Sequence, residues 1–95
     1  MDVNRALRTV VLTGKAHIGI EQAKKAAKSG KAKMFVVAKN IKKEELETLK
    51  KLTKVPIYNY EGNNIQLGAA CGKPFAISTL TIIEPGESNI MSLVS

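Results

Sequence analysis

The sequence predicts an α/β fold: a three-layer α/β/α sandwich built on a small mixed central sheet. Three observations predict it. Apolar residues recur at helical spacing in several stretches, short unbroken apolar runs lie between those stretches, and the connections are brief. No internal repeat, low-complexity segment or linker interrupts the chain, so residues 1–95 read as one domain.

Taken in order, Asp2 is placed to cap a helix whose apolar face is Val3, Leu7, Val10 and Val11. Thr13-Gly14 ends it, with Gly14 expected in the left-handed C-terminal conformation. Lys15 to Ile18 is short enough to be strand or loop. Gly19 opens a second helix with Ile20, Ala23 and Ala27 on one side and Lys24, Lys25 and Lys28 more outward, stopped by Ser29-Gly30. Met34 to Ala38 is an unbroken apolar run, as expected of a strand covered on both faces.

Lys42 to Thr53 has the clearest helical pattern, with Leu46, Leu49 and Leu52 striping one side and Glu47 facing Lys51 four residues on. Val55 to Tyr58 reads as a short strand with Pro56 near its start. Gly62-Asn63-Asn64 is a turn, and either asparagine can cap a short helix from Ile65 to Cys71. Gly72-Lys73-Pro74 breaks that helix. Phe75 to Ile83 then reads as one long strand, closed by Glu84-Pro85-Gly86, and the tail from Glu87 to Ser95 as a turn or short helix.

Composition narrows the function. Fifteen Lys+Arg against eight Asp+Glu give a formal charge of +7, which attracts polyanions because each cation set against a phosphate releases condensed counterions. A lysine-rich surface without a nucleic-acid partner fits the charge equally well. The single cysteine, Cys71, excludes an internal disulfide, and with one histidine there is no zinc pattern. No cofactor is expected. The start Met-Asp-Val-Asn-Arg lacks the order of a signal peptide, and the apolar runs are too short to span a bilayer. A cytoplasmic chain without a membrane partner is expected.

Candidate chemistry is sparse. Cys71 and His17 form the only thiol–imidazole pair, and nothing in the sequence brings them together or supplies a group to orient the base. Cys71 lies in the small-residue stretch Ala69-Ala70-Cys71-Gly72 and reads as a buried structural thiol. Thr13-Gly14-Lys15 lacks the earlier glycine of a phosphate-binding loop and follows a helix rather than a strand. No enzyme is expected.

The junctions between elements are more informative. Gly19 at a helix start either receives an anion on free N–H groups or only relieves a tight turn. Gly19, Asn40 and the Lys73-Pro74-Phe75 segment all fall at junctions, which in an α/β sandwich can converge on one edge. That edge offers a helix N-terminus, a base-reading amide, a lysine for phosphate and an aromatic ring for stacking, which are the needs of an RNA loop reader. A core phenylalanine starting a strand is the alternative for Phe75.

At these residues the chain resembles the large-subunit ribosomal proteins of the L-thirty-e type of archaea and eukaryotes, within the superfamily that binds kink-turn RNA. The resemblance spans about residues 3 to 90 and rests on several stretches in order. These are Thr13-Gly-Lys with Gly19, Gly30-Lys-Ala-Lys-Met-Phe-Val-Val-Ala-Lys-Asn40, Tyr60-Glu-Gly-Asn-Asn-Ile-Gln-Leu-Gly68, Gly72-Lys-Pro-Phe75 and Ile83-Glu-Pro-Gly-Glu-Ser88.

The resemblance implies a structural constituent of the large ribosomal subunit that binds a sharply bent, internally looped rRNA helix and stabilises its bend. It implies that Gly19 and the following helix start, with Gln22 and Lys25, approach the RNA. Asn40 would contact a base in mismatched G·A pairs, Phe75 and Ile77 would pack on extruded bases beside Pro74, and Asn64 and Lys73 would support them. Where the superfamily usually carries Asn-Glu before a lysine, this chain reads Gly19-Ile-Glu-Gln-Ala-Lys25. Glu21 must therefore point away from phosphate, pair with a lysine, or accept a hydrogen bond from guanine. The chain is expected to be monomeric when free, with neighbouring ribosomal proteins as further candidate partners. The alternative is a non-ribosomal kink-turn binder or a protein-interaction regulator on the same fold; of the regulator a neutral or acidic surface would be expected, against which the charge of +7 argues.

Overall fold

A computed structural model describes residues 2–94. Its element order is α1 (Val3–Thr13), β1 (Lys15–Ile18), α2 (Ile20–Ser29), β2 (Met34–Val37), α3 (Lys43–Leu52), β3 (Ile57–Asn59), α4 (Asn64–Ala70), β4 (Thr79–Glu84) and a 3-10 helix over Ile90–Leu93. The strands form one sheet in the order β1-β4-β2-β3. Strand β4 is antiparallel to both β1 and β2, and β2 is parallel to β3. The sheet is therefore mixed, as the sequence predicts.

Alternation along the strands divides the interior in two. Met34, Val36, Leu80 and Ile82 pack with Leu7 and Val10 of α1 and with Leu67 and Cys71 at α4. On the other face Phe35 and Val37 meet Ala23 and Ala26 of α2 and Leu49 of α3. All four residues of β2 are buried, which explains the unbroken apolar run. The alanines of α2 let that helix sit close over the sheet. Beneath it β4 carries Thr79 and Thr81, both buried, whose hydroxyls have no hydrogen-bond partner among the described residues.

The expected helices are all present. Asp2 caps α1, accepting a hydrogen bond from the Arg5 amide at 3.2 Å. Asn63 rather than Asn64 caps α4, in a reciprocal box with Gln66. The expected ends of α3, Lys42 and Thr53, are its caps. Lys15 to Ile18 is a strand, and the tail resolves into the 3-10 helix whose Ile90 is fully buried in the α1 side of the core.

Three expectations are corrected. Gly14 is not left-handed: its φ is −105°. A glycine is needed there because a Cβ would collide with the Glu84 carbonyl, so the constraint is close approach rather than handedness. The strand expected from Val55 begins at Ile57, and Pro56 precedes it, its carbonyl accepting from the Phe35 amide at 3.0 Å. The long strand expected from Phe75 begins only at Thr79. Residues 75–77 are held elsewhere: the Ile77 amide donates to the Asn64 carbonyl at 2.9 Å, and the Phe75 carbonyl lies against Gly68 of α4. Phe75 accordingly does not start a strand in the core; it is half exposed.

Candidate nucleic-acid interface

The pairing directions decide where the loops meet. Strands β1, β2 and β3 all run opposite to β4 or parallel to one another, so their C-terminal ends and the N-terminal end of β4 lie at one end of the sheet. Gly19, Asn40, the turn at 62–64 and the segment before Thr79 are the chain at that end.

Backbone hydrogen bonds stitch these pieces together. The Gly19 amide donates to the Thr79 carbonyl at 3.0 Å, the Ala38 amide to Ser78 at 2.9 Å, and the Lys39 amide to Gly62 at 2.8 Å. Two side chains complete the link. Asn40 Oδ1 accepts from the Asn64 amide at 2.8 Å, and Asn40 Nδ2 donates to Asn64 Oδ1 at 3.1 Å. The backbone donor fixes which way the Asn40 amide faces. One Nδ2 hydrogen of Asn40 and both of Asn64 are then left to donate outward.

Gly19 sits at φ 101° and ψ 158° with no side-chain cap on α2, so the first amides of that helix are offered to whatever approaches. A Cβ would meet nothing within 4 Å there; the glycine answers a backbone requirement, not a spatial one. Glu21, in the first turn, lies 3.7 Å from Lys24, so of the three possibilities open to its carboxylate the structure shows pairing with a lysine.

Flanking the asparagines are exposed apolar side chains. Phe75 is 50% exposed and Ile65 68%, with Pro74 exposed beside them. Ile65 was absent from the residues singled out by sequence. Its signal was there: it stands two positions before buried Leu67, on the opposite side of a helix, so it cannot belong to the core face of α4.

The remaining residues lie apart from this cluster. Ile77 is only 1% exposed and belongs to the α1-side core, where it anchors the segment bearing Phe75. Lys73 lines a groove of about 260 Å³ with Val11, Ile18 and Leu80 on the α1 side of β1. Gln22 and Lys25 are exposed on the flank of α2 and line a groove of about 290 Å³ with His17.

A thiol–imidazole pair does not form. Ala16 and Ile18 pack into the α1-side core with Cys71, whereas His17, between them, faces α2 across the sheet. Burial pushes the Cys71 thiol up to about 11 despite the opposing charge of Lys73, so the thiolate needed for nucleophilic attack is disfavoured. Among the described residues no group of His, Cys, Asp and Glu is arranged to hold a metal, and no helix is long and apolar enough to cross a membrane.

One end of an α/β/α sandwich thus gathers side-chain amides and exposed apolar side chains. The chain belongs to the ribosomal protein L7Ae/L30e/S12e/Gadd45 family, whose model matches residues 1–92. It is 41% identical over 96 residues to the large ribosomal subunit protein eL30 of Methanosphaera stadtmanae, covering 98% of both chains. The eL30 of Methanothermobacter thermautotrophicus is 40% identical over 97 residues, with 99% of each chain covered. That of Methanocaldococcus jannaschii is 44% identical over 97 residues, covering 99% of this chain and 88% of the relative. These relatives are ribosomal proteins by name, not enzymes.

Proposed function

We propose that this chain is a structural constituent of the large ribosomal subunit, acting on cytoplasmic ribosomes, that binds a kink-turn or bulged rRNA helix and stabilises its bend. The observation that carries the reading is the Asn40–Asn64 pair, with outward-facing amide hydrogens, framed by exposed Phe75 and Ile65 at one end of the sheet. Amides donate to base edges, and apolar surfaces stack on bases turned out of the helix; unstacked bases with exposed edges are presented by bulges and internal loops rather than by a regular duplex.

In this reading Asn40 contacts a base of the mismatched pairs and Asn64 supports it. Phe75 and Pro74 pack on an extruded base, held in place by Ile77 beneath. Gly19 and the first amides of α2 approach the backbone, with Gln22, Lys25 and Lys73 adding polar and cationic contacts. Residues 1–95 act as one domain, monomeric when free. Because the bent conformer alone fits, binding shifts the RNA toward it. A kink-turn RNA labelled with a fluorophore on each stem end, kept extended at low magnesium, tests this. Added protein should raise energy transfer between the dyes as it binds; binding with unchanged transfer contradicts bend stabilisation.

A further inference from the structure

The sheet has two outer strands, β1 and β3. Strand β3 is only three residues long and follows Pro56. On β1 the bonding to β4 can be followed residue by residue. The Gly19 amide donates to the Thr79 carbonyl, and the antiparallel register continues through Ile18–Leu80, His17–Thr81 and Ala16–Ile82. Alternation turns the polar groups of His17 toward β4 and those of Ala16 and Ile18 away from it. The far side of β4 agrees: the Ile82 carbonyl accepts from the Lys33 amide, so it faces β2 and not Ala16. The outward amides and carbonyls of Ala16 and Ile18 have no partner among the described residues.

The surroundings of this edge select what can pair with it. On the α1 side Ala16 and Ile18 join Val11 and Leu80 as the apolar floor of the groove of about 260 Å³, and Lys15 and Lys73 complete its lining. The groove on the other face of β1, with His17, Lys25 and Lys31, also lacks a carboxylate. Glu84 stands opposite Lys15 in the register, yet the one ion pair among the described residues is Lys24–Glu21. A phosphate backbone could use these lysines, but neither the apolar floor nor the row of backbone donors and acceptors. A second copy of this chain would set Lys15 and a net charge of +7 against the same charges, and lysines on edge strands act against such pairing. An extended acidic protein segment uses the edge, the floor and the charge together.

We infer that β1 accepts an added strand from a partner protein, an extended segment bearing carboxylates and apolar side chains on the face it turns toward α1. Its backbone pairs with the amides and carbonyls of Ala16 and Ile18. Its apolar side chains rest on Val11, Ile18 and Leu80, and its carboxylates meet Lys15 and Lys73. Four residues of added strand span about 13 Å at 3.3 Å per residue, which matches the length of β1. Main-chain bonds supply the affinity and the lysines the preference for acidic segments. Lys73 also serves the RNA reading above, so the test leaves it unchanged.

The probe is a synthetic peptide, blocked at both ends, that alternates threonine with valine or glutamate. A second version carries lysine in place of glutamate, and two more are N-methylated on alternate residues in opposite phases. Amide exchange of the whole protein, followed by NMR, reads each position. In the free protein the Ala16 and Ile18 amides should exchange faster than that of His17. With acidic peptide at about ten times its Kd they should slow by about tenfold, and His17 should change little. One N-methylated phase should lose the effect, and Lys15→Glu should exchange the preference, favouring the lysine peptide over the acidic one. No slowing by the acidic peptide, equal slowing by the lysine version, or full binding of both N-methylated versions overturns the inference. Slowing of the same two amides by kink-turn RNA, or by raised protein concentration alone, also overturns it and gives the edge to RNA or to a second copy.

Discussion

Asn40 and Asn64 hold each other by two hydrogen bonds across the end of the sheet, one from a backbone amide at 2.8 Å and one between the side-chain amides at 3.1 Å. The Asn64 carbonyl in turn receives the Ile77 amide. One side chain on the β2–α3 connection thus sets the position of the start of α4 and, through it, of the segment bearing Phe75. Asn40→Ala is expected to weaken kink-turn binding by about 1–3 kcal/mol while leaving the salt slope nearly unchanged. Lys73→Ala should mainly reduce that slope. Titrations at several salt concentrations separate the two.

Phe75 and Ile77 stand two residues apart and should behave oppositely. Phe75→Ala removes a half-exposed ring, so RNA affinity should fall by about 1–3 kcal/mol, the scale of base stacking, with little change in thermal stability. Ile65→Ala should follow the same pattern more weakly. Ile77→Ala empties a buried site and should cost about 2–5 kcal/mol of stability. Denaturant unfolding beside binding measurements distinguishes them, and a large stability loss from Phe75→Ala would contradict the exposure seen here.

Gly68 tests the link between α4 and the loop. A methyl at this position would overlap the Phe75 carbonyl, and the neighbour is backbone that cannot rotate away. Gly68→Ala should therefore cost about 1–3 kcal/mol of stability and also lower RNA affinity, because the Phe75 segment must move. Gly19→Ala meets no atom but is strained at φ 101°, and should cost about 1–2 kcal/mol.

Thr81 is buried under the alanines of α2 with a hydroxyl that has no partner among the described residues. Thr81→Val keeps the shape and removes the desolvated hydroxyl, so stability should rise by about 1 kcal/mol. A rise in the unfolding midpoint with unchanged RNA affinity is the expected result.

Cys71 gives a pH dependence. The unfolded chain ionises an ordinary thiol near 9.0, whereas burial holds the folded thiol's proton to about 11. The unfolded state therefore releases a proton first, and the contribution of Cys71 to stability, complete below pH 9, is lost as pH rises toward 11. The stability difference between the wild type and Cys71→Ala should shrink over that window. The native thiol should also resist alkylation at pH 8 until the chain is unfolded.

The sequence made most of the fold legible because periodicity reports burial directly: the run at Met34–Val37 and the stripes of α1, α2 and α3 appear as expected. What it concealed were long-range backbone contacts. Phe75-Ala-Ile-Ser has the composition of a strand, yet its Ile77 amide is bound by the Asn64 carbonyl and its Phe75 carbonyl lies against Gly68 of α4, and no local pattern announces that. Gly14 misled for the same reason, since its constraint comes from Glu84, seventy residues away in the chain. At the candidate site Gly19, Asn40, Asn64 and Phe75 were readable as junction residues or through the family resemblance. The exposure of Ile65 and the burial of Ile77 depend on how α4 docks, which the sequence alone did not express.

The central claim is recognition of RNA shape by a few largely uncharged residues rather than by net charge. A titration against a kink-turn RNA and a straight duplex of equal charge, at the same salt concentration, tests it most directly. The account predicts markedly tighter binding to the kink-turn and loss of most of that preference in the Asn40→Ala, Phe75→Ala double variant. Equal affinity for the two RNAs would contradict it and leave only a basic surface attracting phosphate.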